Sequence, residues 1–135
     1  MSSSPLRRKA EMDSVRLTQL HITALEMGDD QNISLEFKVE GRMAEHEAGS
    51  PNRSIELRLA ISSPNRNYYE VEAVAEASFR FDEDADDSYI ASYMNYYAPN
   101  EVVGFLRSAI AAATASFSHG PVEMPGFNIV LSLAN

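Results

Sequence analysis

The sequence predicts an α+β domain: a four-stranded antiparallel sheet followed by a long C-terminal helix that packs on one face of the sheet. Three observations favour this fold. Apolar and polar residues alternate in segments of strand length, the loops between them are rich in turn-forming residues, and a long, nearly uncharged apolar segment follows. We predict a disordered, Ser-rich basic tail over residues 1–13 and a single domain over residues 14–135.

The first two predicted strands differ in the regularity of their alternation. In SVRLTQLHITALEM, Val15 and Leu17 are in one phase and Leu20 and Ile22 in the other, which indicates a β-bulge or burial on both faces. The second segment, NISLEFKVEG, alternates without a break and predicts a strand with one buried face. Its apolar side chains are those of Ile33, Leu35, Phe37 and Val39.

The third and fourth strands are predicted in RSIELRLAIS and NYYEVEAVAEASFRF. Their inward positions are occupied by Ile, Leu, Val, Ala, Tyr and Phe, as expected for strands that form the core. The opposite face of the fourth strand carries Glu70, Glu72 and Glu76. Because oppositely charged surfaces attract at long range, this face predicts a docking surface for a basic partner.

The segment YYAPNEVVGFLRSAIAAATASF predicts the long helix. Pro99 suits a first helical turn and Gly120 suits a helix end. A separate short helix is predicted from Ser88 to Tyr97, because the carboxylates of the acidic run DEDADD favour a helix N-terminus. Between residues 99 and 117 the only charged side chains are Glu101 and Arg107. The sheet can cover one side of this helix, and because the other side is also nearly uncharged, it needs a second apolar surface to cover it. We therefore predict a homo-oligomer interface formed by Phe105, Ala109, Ala112 and Ala115.

Composition disfavours several classes of protein. The net charge of −9 argues against a nucleic-acid surface, and no apolar run is long enough for a membrane span. The chain has no cysteine, and its three histidines are not spaced as metal ligands, so we predict no metal, no cofactor and no catalytic residues. Without a secretory signal, a cytoplasmic location is expected.

The residues YYAPNEVVGFLRSAI are similar to a motif of the SecB family of export chaperones, in which Tyr-x-Pro-Asn precedes an aromatic-containing helix with an Arg. The matching positions here are Tyr97, Pro99, Asn100, Phe105 and Arg107. The segment SHGPVEMPGFNI resembles the family's Pro-containing apolar tail, and the predicted order of elements also agrees. The resemblance extends from about Val15 to Ile129.

This resemblance implies an ATP-independent holdase chaperone without enzymatic activity that binds non-native polypeptides. It implies a homotetramer, a dimer of dimers with the long helices between two sheets. Either SecA or an antitoxin is implied as a partner, and the sequence leaves both open. By position, Glu72 and Glu26 would lie on the SecA-docking surface.

Tyr and Met side chains suit the binding of varied apolar clients, because Tyr combines an apolar ring with a polar tip and Met repacks around different partners. The predicted client-binding residues are therefore Tyr93, Met94, Tyr97, Met124 and Phe127. The alternative hypothesis is a small-ligand-binding or isomerase/cyclase-like domain, which would need an acid or base on the inner face of the sheet. A passive assembly domain is the third hypothesis.

Overall fold

The computed structural model describes residues 9–25, 35–64, 68–117 and 119–122. Four strands, β1 (Ala10–Ala24), β2 (Glu36–Met43), β3 (Asn52–Ser62) and β4 (Tyr69–Phe81), form an antiparallel sheet in the order β1-β4-β3-β2. The predicted fold class, with its sheet and its C-terminal helix, is confirmed. The chain passes from one edge of the sheet to the other between β1 and β2, so these two strands form the edges.

β1 contains the predicted irregularity. Its pairing with β4 shifts register twice, between Met12 and Ser14 and between Leu17 and Gln19. Each extra residue absorbs one change of alternation phase, so the apolar residues of both phases lie on the same face of the sheet. β1 also begins at Ala10, and residues 10–13, which we predicted in the tail, therefore belong to the strand. Five apolar residues of β1 pair with odd-numbered residues of β4 and lie on the same face of the sheet as these: Met12, Val15, Leu17, Leu20 and Ile22.

The core lies between the two central strands and the long helix. The inward side chains of β3 and β4 are almost completely buried, as the alternation predicted. Three of the inward residues of β4 are alanines, which allow the helix to approach the sheet closely. Across from them the helix buries Val102, Val103, Leu106 and Ile110.

The helical region differs from the prediction. The structure has α1 (Asp87–Ser92), a π-helical turn (Tyr93–Tyr97) and α2 (Ala98–Thr114), which follow one another without a break, where we predicted two helices with the long one starting near Pro99. The Asp86 carboxylate accepts a hydrogen bond from the Tyr89 amide at 2.8 Å and caps the start of α1. This cap agrees with the predicted role of the acidic run.

Pro99 explains the π-helical turn. Its ring lacks an N–H and would clash with the carbonyl four residues earlier in a regular α-helix. The backbone responds by adding a residue to the turn, and the Ala98 amide donates to the Tyr93 carbonyl, five residues back. The Asn100 side chain then donates to the Tyr96 carbonyl at 2.7 Å. Pro99 and Asn100 of the sequence motif thus both act on the π-helical turn.

The helix ends at Thr114, earlier than the predicted end near Gly120. The buried Thr114 hydroxyl donates to the Ile110 carbonyl at 2.7 Å and accepts from the Val122 amide at 2.9 Å. The Tyr69 hydroxyl donates to the Gly120 carbonyl at 2.6 Å. These bonds fold the chain after the helix back against the core.

His119 lies beyond the helix end and takes part in the same arrangement. Its Nε2 is hydrogen-bonded to the Leu25 carbonyl, which can only accept, so Nε2 carries the proton. The ring also packs edge-on against Tyr69, with 5.2 Å between centroids. Within the described residues, no helix is long and apolar enough to cross a membrane.

Candidate functional site

The helix side of the sheet carries two uncovered apolar strips. A helix with its side chains is about 10 Å wide, and strands lie about 4.8 Å apart, so one helix covers about two strands of four. α2 packs chiefly on β3 and β4 and less on β1. The helix-facing side chains of both edge strands are therefore left partly open to solvent.

We name these surfaces by their strands. The β1 strip consists of Met12, Val15, Leu17, Leu20 and Ile22, and the β2 strip consists of Leu35, Phe37, Val39 and Met43. All of them are half-buried except Leu20, which is exposed. The sequence analysis placed Leu35, Phe37 and Val39 on one buried face and Met12 in the tail. Alternation shows which face a residue occupies and not how much of that face is covered.

A third apolar surface lies where the π-helical turn meets α2. We call it the tyrosine patch, and it consists of Tyr96 and Tyr97, which are 37% and 56% exposed. Their rings meet edge to face with centroids 4.9 Å apart. The Tyr97 ring also rests on Tyr93 at 5.4 Å, so its position is supported from the core side. Exposed, supported aromatic rings are suited to contact with apolar chains.

The predicted client-binding residues are divided by the structure. Tyr97 is exposed, whereas Tyr93 and Met94 are buried at 3% and 0% exposure. The Tyr93 ring packs edge-on against Phe79 and Phe81, and its hydroxyl donates to Glu101 at 2.6 Å. Tyr93 therefore supports the patch from the core, and neither Tyr93 nor Met94 belongs to its surface. Met124 and Phe127 lie outside the described residues.

The opposite, outer face of the sheet carries the predicted docking residues. Glu70, Glu72 and Glu76 share this face, and Glu26 lies outside the described residues. Arg16 donates to Glu76 at 2.8 Å, and Arg58 forms an ion pair with Glu72. Arginines on the neighbouring strands thus neutralise part of the charge, and the face is mixed rather than uniformly acidic. Sequence alternation could not show these pairs, because it gives the face of a residue and not the register between strands.

A groove of about 880 Å³ lies on this outer face and is lined by residues of all four strands. Cross-strand pairing puts Glu56 directly opposite Glu76, and Arg42 donates to Glu56 at 3.2 Å. A smaller cavity of about 360 Å³ lies between α1 and the β2–β3 loop. Among the described residues, no group of His, Asp and Glu side chains is arranged to hold a metal ion.

The predicted oligomer-interface residues lie on α2 and just after it, away from the buried stripe. Phe105 and Ala109 are half-buried, and Ala112 and Ala115 are exposed. Three of these four side chains are alanine methyl groups, and none of the four is charged. The geometry leaves this side accessible to a second surface.

Comparison with solved structures shows a SecB-like fold. The Mycobacterium tuberculosis SecB-like chaperone Rv1957, solved in complex with a ChAD peptide from the Rv1956 HigA1 antitoxin, matches with a TM-score of 0.71. The match covers 88% of this chain and 91% of that one at 10% sequence identity. The likeness to the SecB family that the sequence motifs suggested is therefore confirmed at the level of the fold.

A second solved structure, a protein of unknown function from Streptococcus agalactiae, matches with a TM-score of 0.51 and 11% identity. The match covers 87% of this chain and 97% of that one. No protein-family model and no curated protein matches the sequence.

Proposed function

We propose that this protein is an ATP-independent chaperone that binds apolar segments of non-native polypeptides. The observation that carries the proposal is the pair of half-exposed apolar strips on either side of α2. Their apolar side chains are partly open to solvent, and the exposed tyrosine patch adds further apolar surface. The SecB-like fold supports the proposal, since a protein with this fold was solved with a bound antitoxin peptide.

The strips suit binding without sequence selectivity. Their side chains are aliphatic, Met and Phe, which bury apolar surface without demanding a particular hydrogen-bonding partner. Several weak contacts on one assembly add up through effective concentration, so a client with several apolar segments binds tightly. Tyr97, Met124 and Phe127 stay in the proposed client site, with Tyr93 and Met94 beneath it.

Assembly and delivery complete the proposal. The exposed side of α2, through Phe105, Ala109, Ala112 and Ala115, would contact another copy in a homotetramer. An antitoxin is the better supported dedicated client, because the outer face that would dock SecA has Glu72 and Glu76 already paired with arginines. We propose a cytoplasmic, non-enzymatic role, and no observation favours the ligand-binding or isomerase alternative over it.

The experiment measures how far the protein suppresses the aggregation of a chemically unfolded model protein. Leu20→Ser and Tyr97→Ser change exposed apolar side chains, and each should weaken client binding by about fivefold or more, since burying such a side chain contributes about 1–2 kcal/mol. His21→Ser is the matched control, because His21 is next to Leu20 and points to the opposite face.

Each variant is first checked for an unchanged melting temperature and oligomeric state. Loss of protection in Leu20→Ser and Tyr97→Ser, with protection kept in His21→Ser, supports the proposed site. Equal protection by all three variants places client binding elsewhere, and absence of protection by the unmodified protein refutes the chaperone function.

A further inference from the structure

The cavity of about 360 Å³ between α1 and the β2–β3 loop lies at the end of the sheet. The pairing of β2 with β3 ends at Met43 opposite Ile55, whereas β3 already begins at Asn52. Arg53 therefore lies beyond the last residue pair, on the helix side of the sheet, where it is opposite Phe79 of β4. Small-molecule sites in proteins have volumes of about 300–1,000 Å³, so this cavity has room for a small ligand.

The apolar part of the cavity lining consists of Met43, Ile90, Ala91 and Met94. Met94 is completely buried and Met43 and Ile90 are half-buried, so the apolar side chains lie toward the core. Methionine side chains are unbranched and adapt to the shape of a neighbouring group. This part of the cavity therefore suits an aliphatic group of a ligand.

Two side chains of opposite charge line the same cavity, Arg53 from β3 and Asp87 from the first turn of α1. They do not pair with each other, and neither forms an ion pair with any other residue that the structure describes. Arg53 Nη1 donates to the carbonyls of Ser50 and Asn52, at 2.8 and 2.9 Å, which holds the guanidinium in place. Both bonds use Nη1, so the N–H groups of Nη2 and Nε can donate to a carboxylate.

The loop wall of the cavity is held by its own hydrogen bonds. The Ser50 amide donates to the Glu47 carbonyl at 3.1 Å, and Gly49 has a φ of 80°, which a glycine adopts without strain. The Asn52 amide donates to the Ser50 hydroxyl at 3.2 Å. Because the Ser50 carbonyl that holds Arg53 belongs to this turn, the guanidinium is positioned before a ligand arrives. Such an arrangement lowers the entropic cost of binding.

A positive charge, a negative charge and an apolar surface thus surround one small space. From this combination we infer that the cavity binds a free aliphatic amino acid, with leucine as the probe. The carboxylate of the ligand pairs with Arg53, its ammonium group pairs with Asp87, and its side chain contacts Met43, Ile90 and Met94. A ligand with a carboxylate alone would bring a negative charge near Asp87, and an amine alone would bring a positive charge near Arg53, so a zwitterion is favoured.

This inference does not depend on the proposed chaperone function. Among the residues of the β2 strip, Met43 is the one that also lines the cavity. A bound amino acid would therefore be a second ligand of the protein, next to the proposed client surface and not in place of a client.

The first test compares four ligands by isothermal titration calorimetry with the full chain. Leucine should bind, and glycine, leucinamide and N-acetyl-leucine, which lack the side chain, the carboxylate and the ammonium group respectively, should each bind about tenfold more weakly or not at all. Absence of leucine binding at millimolar concentration, or equal binding of glycine or leucinamide, would overturn the inference. N-acetyl-leucine resembles the C-terminal residue of a polypeptide. If it binds as tightly as leucine, the cavity is a site for chain ends, and the assignment to a free amino acid is wrong.

The second test changes the two charged residues. Arg53→Gln and Asp87→Asn remove the charges, and each should weaken leucine binding by about tenfold or more. Arg80→Gln is the matched control, because Arg80 is an exposed arginine of β4 that does not line the cavity. Arg53→Gln also removes bonds to the loop, so its melting temperature is measured first. Asp87 is exposed, and Asp87→Asn gives the result even if Arg53→Gln does not fold. Leucine affinity that is unchanged in Asp87→Asn, or reduced as much in Arg80→Gln, would refute the inference.

Discussion

Thr114 is the residue whose replacement tests most directly how the end of the helix is held. Its hydroxyl is the described partner of the Val122 amide, at 2.9 Å, and both residues are fully buried. Thr114→Val keeps the shape of the side chain and removes this acceptor. A buried N–H left without a partner costs about 1–3 kcal/mol, because the amide gave up its bond to water on folding.

We therefore expect the free energy of unfolding to fall by about 2 kcal/mol and the melting temperature to fall by roughly 5–10 °C. The assay is urea unfolding followed by circular dichroism, together with a thermal scan at the same protein concentration. Thr114→Ser, which keeps the hydroxyl, should retain most of the stability. The loss should appear as a lower midpoint with an unchanged slope.

Thr23→Val is the matched control, since Thr23 is exposed on β1 and undergoes the same chemical change. Its effect should be within about 0.5 kcal/mol. If Thr114→Val unfolds at the same urea concentration as Thr23→Val, the buried hydrogen bond does not stabilise the helix end, and the reasoning fails.

Two further predictions concern pH and assembly. Burial, with the neighbouring Tyr68 adding to it, raises the pKa of Tyr69 above its ordinary value, so the folded state holds this proton more tightly than the unfolded chain. The contribution of this proton to the free energy of unfolding should be fully present below about pH 10 and be lost as the pH rises above it. In Tyr69→Phe the free energy of unfolding should therefore decline less steeply with pH than in Tyr97→Phe, the control at an exposed tyrosine. Ala112→Glu places a carboxylate on the exposed side of α2 and should dissociate a helix-mediated assembly without unfolding the monomer, as measured by light scattering. Unchanged mass at micromolar concentration would show that this side of the helix is not an interface.

Local patterns in the sequence determined much of the fold. Alternation identified the strands and their inward residues, because a strand places successive side chains on opposite faces. The phase change between Leu17 and Leu20 indicated the irregularity in β1, since a bulge is the local way to keep both phases on one face. The acidic run before Tyr89 indicated a helix start, because a cap is a local interaction that acts within one turn of the helix.

The helix boundaries were predicted less well. Pro99 suggested a helix start, but the structure has a π-helical turn there inside a continuous helical segment. The low helix propensity of proline predicts a helix boundary at Pro99. In the structure Tyr93 and Met94 pack into the core, and the segment stays helical through Pro99. The helix end at Thr114 was missed because the bonds that hold it come from Val122 and Tyr69, which sequence windows do not connect.

The candidate site needed the tertiary structure. Tyr97 was identified from its residue type, but the same reasoning selected Tyr93 and Met94, which are buried. Most residues of the two apolar strips lay in predicted strands, with no sign of how far they would be covered. Only the sheet order, which puts β1 and β2 at the edges, and the width of a single helix decide that these strips stay partly uncovered. Periodicity specifies the face of a side chain, whereas exposure depends on which distant segment lies above it.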